Sequence, residues 1–278
     1  MDSLLILSGS FLFGLIIGSF LTVVVHRLPI MMERAFRLEF QQEGDPPLAK
    51  SPYNLAVPGS RCSACGRPIK PWHNLPVLSY LMLRGRSACC NVPIPLRYPL
   101  IEILSGLMTV VVVFHFGVTV TSAAALILTY SLLALAAIDL EQQILPDNIS
   151  LPVLWLGLLL SVMGGRVDCE SSILGAAIGY LSLWSVYQLF KCVTGKEGMG
   201  YGDFKLLALL GAWLGWQAVP LVILLSSVVG ALTGLGLVLF RHHASDQPIP
   251  FGPFLAAAGW IVLLFGDDLT RLYWGLTT

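Results

Sequence analysis

The chain has 278 residues, of which 56% are hydrophobic and 12% are charged, and its mean hydropathy is +0.79. A typical soluble domain carries about 25% charged residues, so the composition excludes a soluble protein and predicts a polytopic membrane protein. Because the formal net charge is zero, the overall charge gives no support for a nucleic-acid partner.

The first apolar segment covers residues 4–25 and ends at His26 and Arg27. About 20 residues are enough to cross the bilayer core, and basic residues next to a span favour the cytosolic side. No basic residue precedes the segment and no clear small-residue cleavage site follows it, so we expect a retained first transmembrane helix within residues 1–26. The N-terminus is then expected outside the cytosol.

Residues 27–97 form a polar segment that is rich in proline and holds ten of the sixteen lysine and arginine residues. An excess of positive charge beside transmembrane helices favours retention in the cytosol. The sequence therefore predicts a small, loop-rich cytosolic domain between the first and second transmembrane helices.

Seven further apolar segments follow within residues 98–278, at 99–117, 120–138, 149–165, 171–190, 206–217, 219–240 and 251–273. Segment 206–217 is about half the usual length of a span, so a re-entrant helix is the alternative there. If it crosses the membrane, 14 of the 16 basic residues lie on the cytosolic side. This division favours an all-α bundle of about eight transmembrane helices, with both termini in the periplasm.

Two aspartates lie at the cytosolic ends of apolar segments. Asp139 follows the third span directly, and Asp203 ends a glycine-rich turn at residues 198–205. An ionisable group at membrane depth is a candidate functional group, although a glycine-rich connection with an N-capping Asp203 is the structural alternative. Helix packing can bring the two together, and two close carboxylates in a region of low dielectric share one proton. Such a pair supplies the base and the acid that hydrolysis of a peptide bond by water needs.

Five further residues are expected to support this site. Gly200 and Gly202 allow a sharp turn and close approach to a substrate. Asp147 is expected to cap the helix that follows it. Lys205 either steadies an ionised aspartate or ends the span at the inner surface, and Glu102 either pairs with Arg97 or lines the active-site cavity.

Four cysteines lie in the cytosolic segment, at Cys62, Cys65, Cys89 and Cys90. Disulfides are disfavoured in the cytosol, whereas a C-x-x-C turn with two further thiolates is typical of a tetrahedral zinc site. Because adjacent cysteines strain this geometry, a site with three thiolates and reduced thiols without metal are the alternatives.

Two segments resemble the signatures of the type IV prepilin peptidases, which are membrane aspartic proteases of the GxGD class that also includes the presenilins. One joins Ile138-Asp139 to Leu145-Pro146-Asp147, and the other is the turn from Gly200 to Lys205. Residues 18–29, 74–85, 97–102 and 250–255 are also similar to this family, so the resemblance extends over nearly the whole chain.

The resemblance implies that Asp139 and Asp203 are the catalytic pair and that the peptidase reaction uses no metal. It implies a multi-pass protein of the bacterial inner membrane, in contact with lipid, that cuts the leader from type IV prepilins or type II secretion pseudopilins at the cytosolic face. Larger members also methylate the new terminal amine with S-adenosylmethionine, an activity associated with the cysteine domain. The family has two C-x-x-C pairs, and here Ser87 takes the place of the third cysteine.

Two other classes of protein are alternatives to a peptidase. A transporter with intramembrane carboxylates predicts internal repeats and acids in the middle of spans, whereas the acids here follow the ends of spans. A non-enzymatic membrane scaffold with a zinc-binding loop is the second alternative.

Overall fold

The structure is a computed structural model that describes residues 2–40, 52–62, 64–241 and 250–275. Residues 242–249, which connect the predicted apolar segments 219–240 and 251–273, lie outside these ranges, as does Lys50 of the polar segment. The described residues are predominantly helical and contain no β-strand, which confirms the predicted all-α class. Two isolated β-bridges, Arg61 to Pro68 and Arg86 to Pro93, occur in the cysteine segment.

Five helical segments are long and apolar enough to cross a membrane, and two shorter apolar helices accompany them. The five are Ser3–Glu39, Arg97–Phe116, Val120–Gln142, Cys169–Thr194 and Trp216–Gly236, and the shorter two are Asp147–Val162 and Gly252–Gly266. These segments make the chain a membrane protein. The count of eight spans stays a prediction.

The chain divides into two compact units, residues 1–117 and residues 118–278. The first unit contains α1 (Asp2–Glu39), a 3₁₀ turn (Pro71–Asn74), α2 (Leu78–Met82) and α3 (Arg97–Phe116). Helix α1 continues well past the predicted end of the first span at residue 25. Its extension is rich in good helix formers and carries an ion pair between Glu33 and Arg37, one helical turn apart.

Helices α1 and α3 pack closely because small residues line their contact. A Cβ atom at Gly14 would lie 2.7 Å from the Cα atom of Gly106, and one at Gly18 would lie 2.7 Å from the Cα atom of Glu102. The hydroxyl of Ser105 donates a hydrogen bond of 2.8 Å to the carbonyl of Gly14. This contact fixes the early turns of α3, including Glu102, against α1.

The second unit contains the remaining six α-helices of the described chain. They are α4 (Val120–Gln142), α5 (Asp147–Val162), α6 (Cys169–Thr194), α7 (Tyr201–Leu214), α8 (Val219–Arg241) and α9 (Gly252–Gly275), with a 3₁₀ turn at Trp216–Ala218. Each apolar segment predicted after residue 117 overlaps one of these helices.

Helix α7 has only 14 residues and lies inside the second unit. It packs against α5, α6 and α9, and its buried side chains point in all directions around its axis, including Phe204, Leu206, Leu207, Leu209 and Leu210. A Cβ atom at Gly211 would overlap the backbone carbonyl of Gly175 on α6. Surrounding protein therefore takes the place of lipid around α7, and Asp203 in its first turn is carried into a largely buried position.

Candidate active site

Asp139 lies in the last turn of α4 and is 6% exposed. The helix ends directly after it, because Gln143 adopts a left-handed conformation and donates its backbone N–H to the carbonyl of Asp139. Atom Oδ2 of Asp139 accepts a hydrogen bond of 3.1 Å from the backbone N–H of Gly252, the first residue of α9. The N-terminus of a helix thus faces this carboxylate, which is a favourable place for negative charge.

Asp203 is the third residue of α7 and is 8% exposed. Gly200 occupies the N-cap position in an extended conformation, and its backbone N–H is directed at the Asp203 carboxylate. Asp203 itself is therefore not the N-cap, which corrects the structural alternative stated for it. Its side chain reaches back to the cap, as the third residue does in a capping box.

The structure brings Asp139 and Asp203 together. Gly202 faces the side chain of Leu145, and Gly252 faces both Leu145 and the Asp139 carboxylate, so one leucine links the surroundings of both aspartates. The two carboxylates are close enough for the charge of Asp139 to act on Asp203. Among the described side chains, only Glu102 is a further buried carboxylate.

Lys205 and Asp147 form an ion pair. In the sequence they lie close to Asp203 and Asp139, respectively. The Nζ atom of Lys205 lies 2.8 Å and 2.7 Å from the two carboxylate oxygens of Asp147. Pro146 occupies the N-cap of α5, so Asp147 is the first helical residue and not the predicted cap. The pair connects the first turn of α5 to the first turn of α7, so the recorded partner of Lys205 is Asp147 and neither Asp139 nor Asp203.

The turn between α6 and α7 is held at both ends. Lys191, near the end of α6, forms an ion pair of 2.8 Å with Glu197. The rings of Tyr201 and Phe204 pack against that of Tyr187 on α6, at centroid distances of 5.5 Å and 5.6 Å. These contacts fix the position at which α7 starts, and with it the position of Asp203.

Glu102 belongs to the first unit. It is buried, and its Oε2 atom accepts a hydrogen bond of 2.8 Å from the backbone N–H of Val77. Val77 has a positive φ of 59°, which is strained for a β-branched residue, so this bond stabilises an unusual turn. Glu102 also lines a cavity of about 400 Å³ within this unit.

The four cysteine sulfur atoms lie within 4.8 Å of one another. Sγ–Sγ distances are 3.6 Å for Cys62 and Cys90, 3.1 Å for Cys65 and Cys89, and 3.8 Å for Cys89 and Cys90. The Ser87 hydroxyl and the backbone N–H groups of Cys65 and Ala64 lower the pKa of the Cys62 thiol to about 5. Cys89 is thus part of the cluster, and its sulfur atom lies 2.9 Å from the hydroxyl oxygen of Ser87.

Sequence reasoning missed two residues of the candidate active site, Leu145 and Gly252. Both lie in segments that carry the resemblance, at 145–147 and 250–255, but the contribution of Gly252 is a backbone N–H group. A backbone donor has no side-chain chemistry that would distinguish it in a sequence. Only the resemblance of the segment could have indicated it.

Two family models match the chain. The one described as "Bacterial Peptidase A24 N-terminal domain" matches residues 12–116, and the one described as "Type IV leader peptidase family" matches residues 126–235. No solved structure matches the chain.

Several curated proteins are similar along nearly their whole length. A "Prepilin leader peptidase/N-methyltransferase" of Aeromonas hydrophila is 55% identical over 266 residues, covering 95% of this chain and 92% of the relative. The protein of the same description in Pseudomonas aeruginosa is 53% identical over 264 residues, covering 94% and 91%. The one in Dichelobacter nodosus is 45% identical over 268 residues, covering 94% and 92%.

Proposed function

Since this chain belongs to the type IV leader peptidase family, we propose that it removes the leader peptide of prepilins or pseudopilins and then methylates the new terminal amine. The observation that carries the peptidase half is the buried pair of Asp139 and Asp203 at the ends of two helices. The methylation half rests on the names of the relatives, which also suggest S-adenosylmethionine as the methyl donor.

The two aspartates divide the proton transfers of peptide hydrolysis between them. One carboxylate is ionised and takes a proton from a water molecule, whose oxygen then attacks the carbonyl carbon of the scissile bond. The other is protonated and donates to the carbonyl oxygen, and the departing nitrogen receives a proton as the C–N bond breaks. Because the proton is shared, the two states belong to the pair and not to either residue. These steps need no metal ion.

The contacts around the pair suggest how it is held. The Gly252 N–H group fixes Asp139, the N-terminal turn of α7 fixes Asp203, and the pair of Asp147 and Lys205 ties α5 to α7. A Cβ atom at Gly202 would lie 2.8 Å from the Cβ atom of Leu145, so glycine at this position allows Leu145 to pack beside the turn that carries Asp203. These residues at helix ends position the two carboxylates, and catalysis by the pair depends on the separation between them.

The peptidase proposal is tested by replacing each aspartate separately with asparagine, which keeps its size. With purified full-length protein in detergent and a synthetic prepilin, we expect the cleavage rate of Asp139→Asn and of Asp203→Asn to fall by about 100-fold or more. Intact mass spectrometry measures cleavage. Asp268→Asn, an exposed acid of α9, is the matched control and should cleave normally. Normal cleavage by both active-site variants would refute the proposal.

The cysteine cluster fits zinc. A tetrahedral site with Zn–S bonds of about 2.3 Å has sulfur atoms about 3.8 Å apart. The four sulfur atoms lie within 4.8 Å of one another, and the shortest separations are 3.1 to 3.8 Å, so small shifts would bring them to this geometry. We propose that Cys62, Cys65, Cys89 and Cys90 hold one zinc ion that stabilises the short, proline-rich segment around them. The metal would act there as a structural ion and takes no part in the peptidase steps.

Elemental analysis of the purified protein tests the zinc site. We expect about one zinc per chain, lost in Cys89→Ser and retained in Cys192→Ser, an exposed cysteine of α6. Retention of zinc by Cys89→Ser would assign the fourth ligand position to another group.

The place of the reaction is proposed from the distribution of charge. We place the protein in the bacterial inner membrane with the two aspartates and the cysteine segment facing the cytosol and both termini in the periplasm. Reporter fusions after Arg166 and after Lys196 test this arrangement, because the first should report a periplasmic position and the second a cytosolic one. The opposite pattern would reverse the topology. The transporter alternative has no support from the relatives.

A further inference from the structure

The first unit contains a cavity that the peptidase proposal does not use. It has a volume of about 400 Å³ and is lined by α1, by the early turns of α3 and by the cysteine segment between them. This volume falls within the range of small-molecule sites, about 300 to 1,000 Å³. The cavity is therefore large enough for one small ligand.

The residues that line the cavity include more basic than acidic groups. Its lining contains the cationic or titratable groups Arg27, Arg61, Lys70, His26 and His73, and Glu102 is the only acid among the described residues that line it. Arg27 is held in place by hydrogen bonds of 3.0 Å and 3.3 Å to the carbonyls of Asn54 and Leu55. A ligand that carries both an anionic and a cationic group would complement this lining.

Glu102 has the features of a group that receives a positive charge. It is 8% exposed, and its recorded partners are hydrogen-bond donors, the Val77 N–H and the hydroxyl of Ser19. Within the described residues no lysine or arginine forms a salt bridge with it. A buried ionised carboxylate is unfavourable without a nearby cation, and a ligand's ammonium or sulfonium group would supply one, so Glu102 is suited to bind such a group.

We propose that this cavity is the methyl-transfer site, in which Glu102 receives the terminal ammonium group of the cleaved substrate; the inference rests on the methylation half of the proposed function. The basic residues of the lining would hold the carboxylate of S-adenosylmethionine. When bound, that compound supplies a methyl group on a positively charged sulfur.

Glu102 then removes the proton that blocks the reaction. A terminal ammonium has no free electron pair, and its loss of one proton to the Glu102 carboxylate provides the pair that forms the new N–C bond. The S–C bond breaks as the N–C bond forms, the sulfur keeps the bonding electrons, and the products are a methylated amine and a neutral thioether. No oxidant or metal takes part.

Glu102→Gln tests this role, because glutamine keeps an acceptor for the Val77 N–H but cannot take a proton. At pH 6.5 we expect methylation to fall by about 100-fold or more, whereas leader cleavage should change less than about twofold. The methylation rate of the variant should rise about tenfold per pH unit up to the pKa of the amine, about 7.7 to 8.0, whereas that of the unmodified protein should change little. A purely structural role would not produce this pH profile.

Binding is measured independently of turnover. Ultraviolet crosslinking of radiolabelled S-adenosylmethionine to the full-length protein should label peptides from the cysteine segment or from α3. Thr22→Leu, which adds bulk to the α1 side of the cavity, should weaken binding of S-adenosylhomocysteine by about tenfold or more while cleavage continues. Glu33→Gln, an exposed acid of α1, is the matched control and should bind and methylate normally.

The outcomes separate this inference from the function on which it rests. If the unmodified protein cleaves but never methylates, the proposed methylation itself is wrong. If it methylates, and Glu102→Gln methylates equally well at pH 6.5 or the label maps to the second unit, the assignment of the cavity is overturned. If the Glu102→Gln protein does not accumulate in the membrane, the position of the crosslinked peptides and the binding measured for Thr22→Leu decide whether the cavity is the methyl-transfer site.

Discussion

At the scale of single residues, the Asp139 carboxylate depends on the absence of a side chain at Gly252. A Cβ atom there would lie 2.6 Å from Oδ2 of Asp139, well inside van der Waals contact. We therefore expect Gly252→Ala to displace the carboxylate and to lower the rate of leader cleavage by about tenfold or more. The rate is measured with a synthetic prepilin as substrate, and intact mass spectrometry detects the cleaved product.

Gly236→Ala is the control for this substitution, because a Cβ atom at Gly236 meets no atom within 4 Å. It should cleave at the normal rate. Equal rates for Gly252→Ala and the unmodified protein would mean that the close contact with Asp139 has no part in catalysis.

The ion pair of Lys205 and Asp147 is partly exposed, with side-chain exposures of 30% and 48%. Such pairs contribute little to stability, so its removal should affect catalysis more than folding. We expect Lys205→Met to lower cleavage by about tenfold through misplacement of the first turn of α7, with a melting temperature near normal. The exchange of both residues, Asp147→Lys with Lys205→Asp, should restore part of the rate.

Failure of the exchanged variant to recover, together with normal cleavage by Lys205→Met, would leave the pair without a positioning role. Thermal unfolding of the same samples shows whether any loss of rate comes from loss of folded protein.

Some of these residues were predictable from the sequence and others were not. A carboxylate such as Asp139 or Asp203 is conspicuous beside an apolar segment, because its burial is unfavourable without a function. Four cysteines in a basic, polar segment are equally conspicuous. The pairing of Lys205 with Asp147 was not predicted, since the two lie 58 positions apart and only the packing of α5 on α7 brings them together.

At the scale of helices, the packing of α6 on α7 depends on glycine. A Cβ atom at Gly211 would overlap the carbonyl of Gly175, and one at Gly179 would lie 2.6 Å from the carbonyl oxygen of Leu207. The hydroxyl of Ser172 donates to the carbonyl of Ala212 at 2.6 Å. Small residues thus bring the two backbones into contact and give α7 its buried position.

Gly211→Ala should force these helices apart. We expect it to destabilise the protein by about 1 to 3 kcal/mol, as overpacking does in other cores, and to lower the melting temperature in detergent. Gly236→Ala, where the new methyl group meets open space, should leave the melting temperature unchanged or raise it slightly. An unchanged melting temperature for Gly211→Ala would show that the helices can separate without loss of stability.

The positions of helices were more predictable than their ends. Every apolar segment predicted after residue 117 lies on a helix, because long apolar runs have few other solutions in a membrane. The end of α1 at Glu39 was missed, since hydropathy falls at His26 and proline in a helix interior usually ends or kinks a helix, whereas α1 continues through Pro29. Helix α7 has 14 residues and is about 21 Å long, which is short for a transmembrane helix. The sequence left a re-entrant helix as the alternative there, because it does not show which helices will surround α7.

At the scale of the whole molecule, the two proposed activities belong to two compact units. The aspartate pair lies within residues 118–278, whereas the cysteine cluster and the cavity lie within residues 1–117. Variants should therefore separate the activities, with cleavage lost in one set and methylation in the other. The sequence predicted the cysteine segment as a distinct region but not its cavity, because the cavity forms only where α1 and α3 pack beside that segment.

The central claim is that Asp139 and Asp203 act as one unit that shares a proton. Single-turnover cleavage of a synthetic prepilin by Asp139→Asn, Asp203→Asn and the double variant tests it most directly. If the pair is one unit, each single variant loses nearly all activity and the double variant is no slower than either. Multiplied losses in the double variant, or substantial cleavage by one single variant, would contradict a shared catalytic pair.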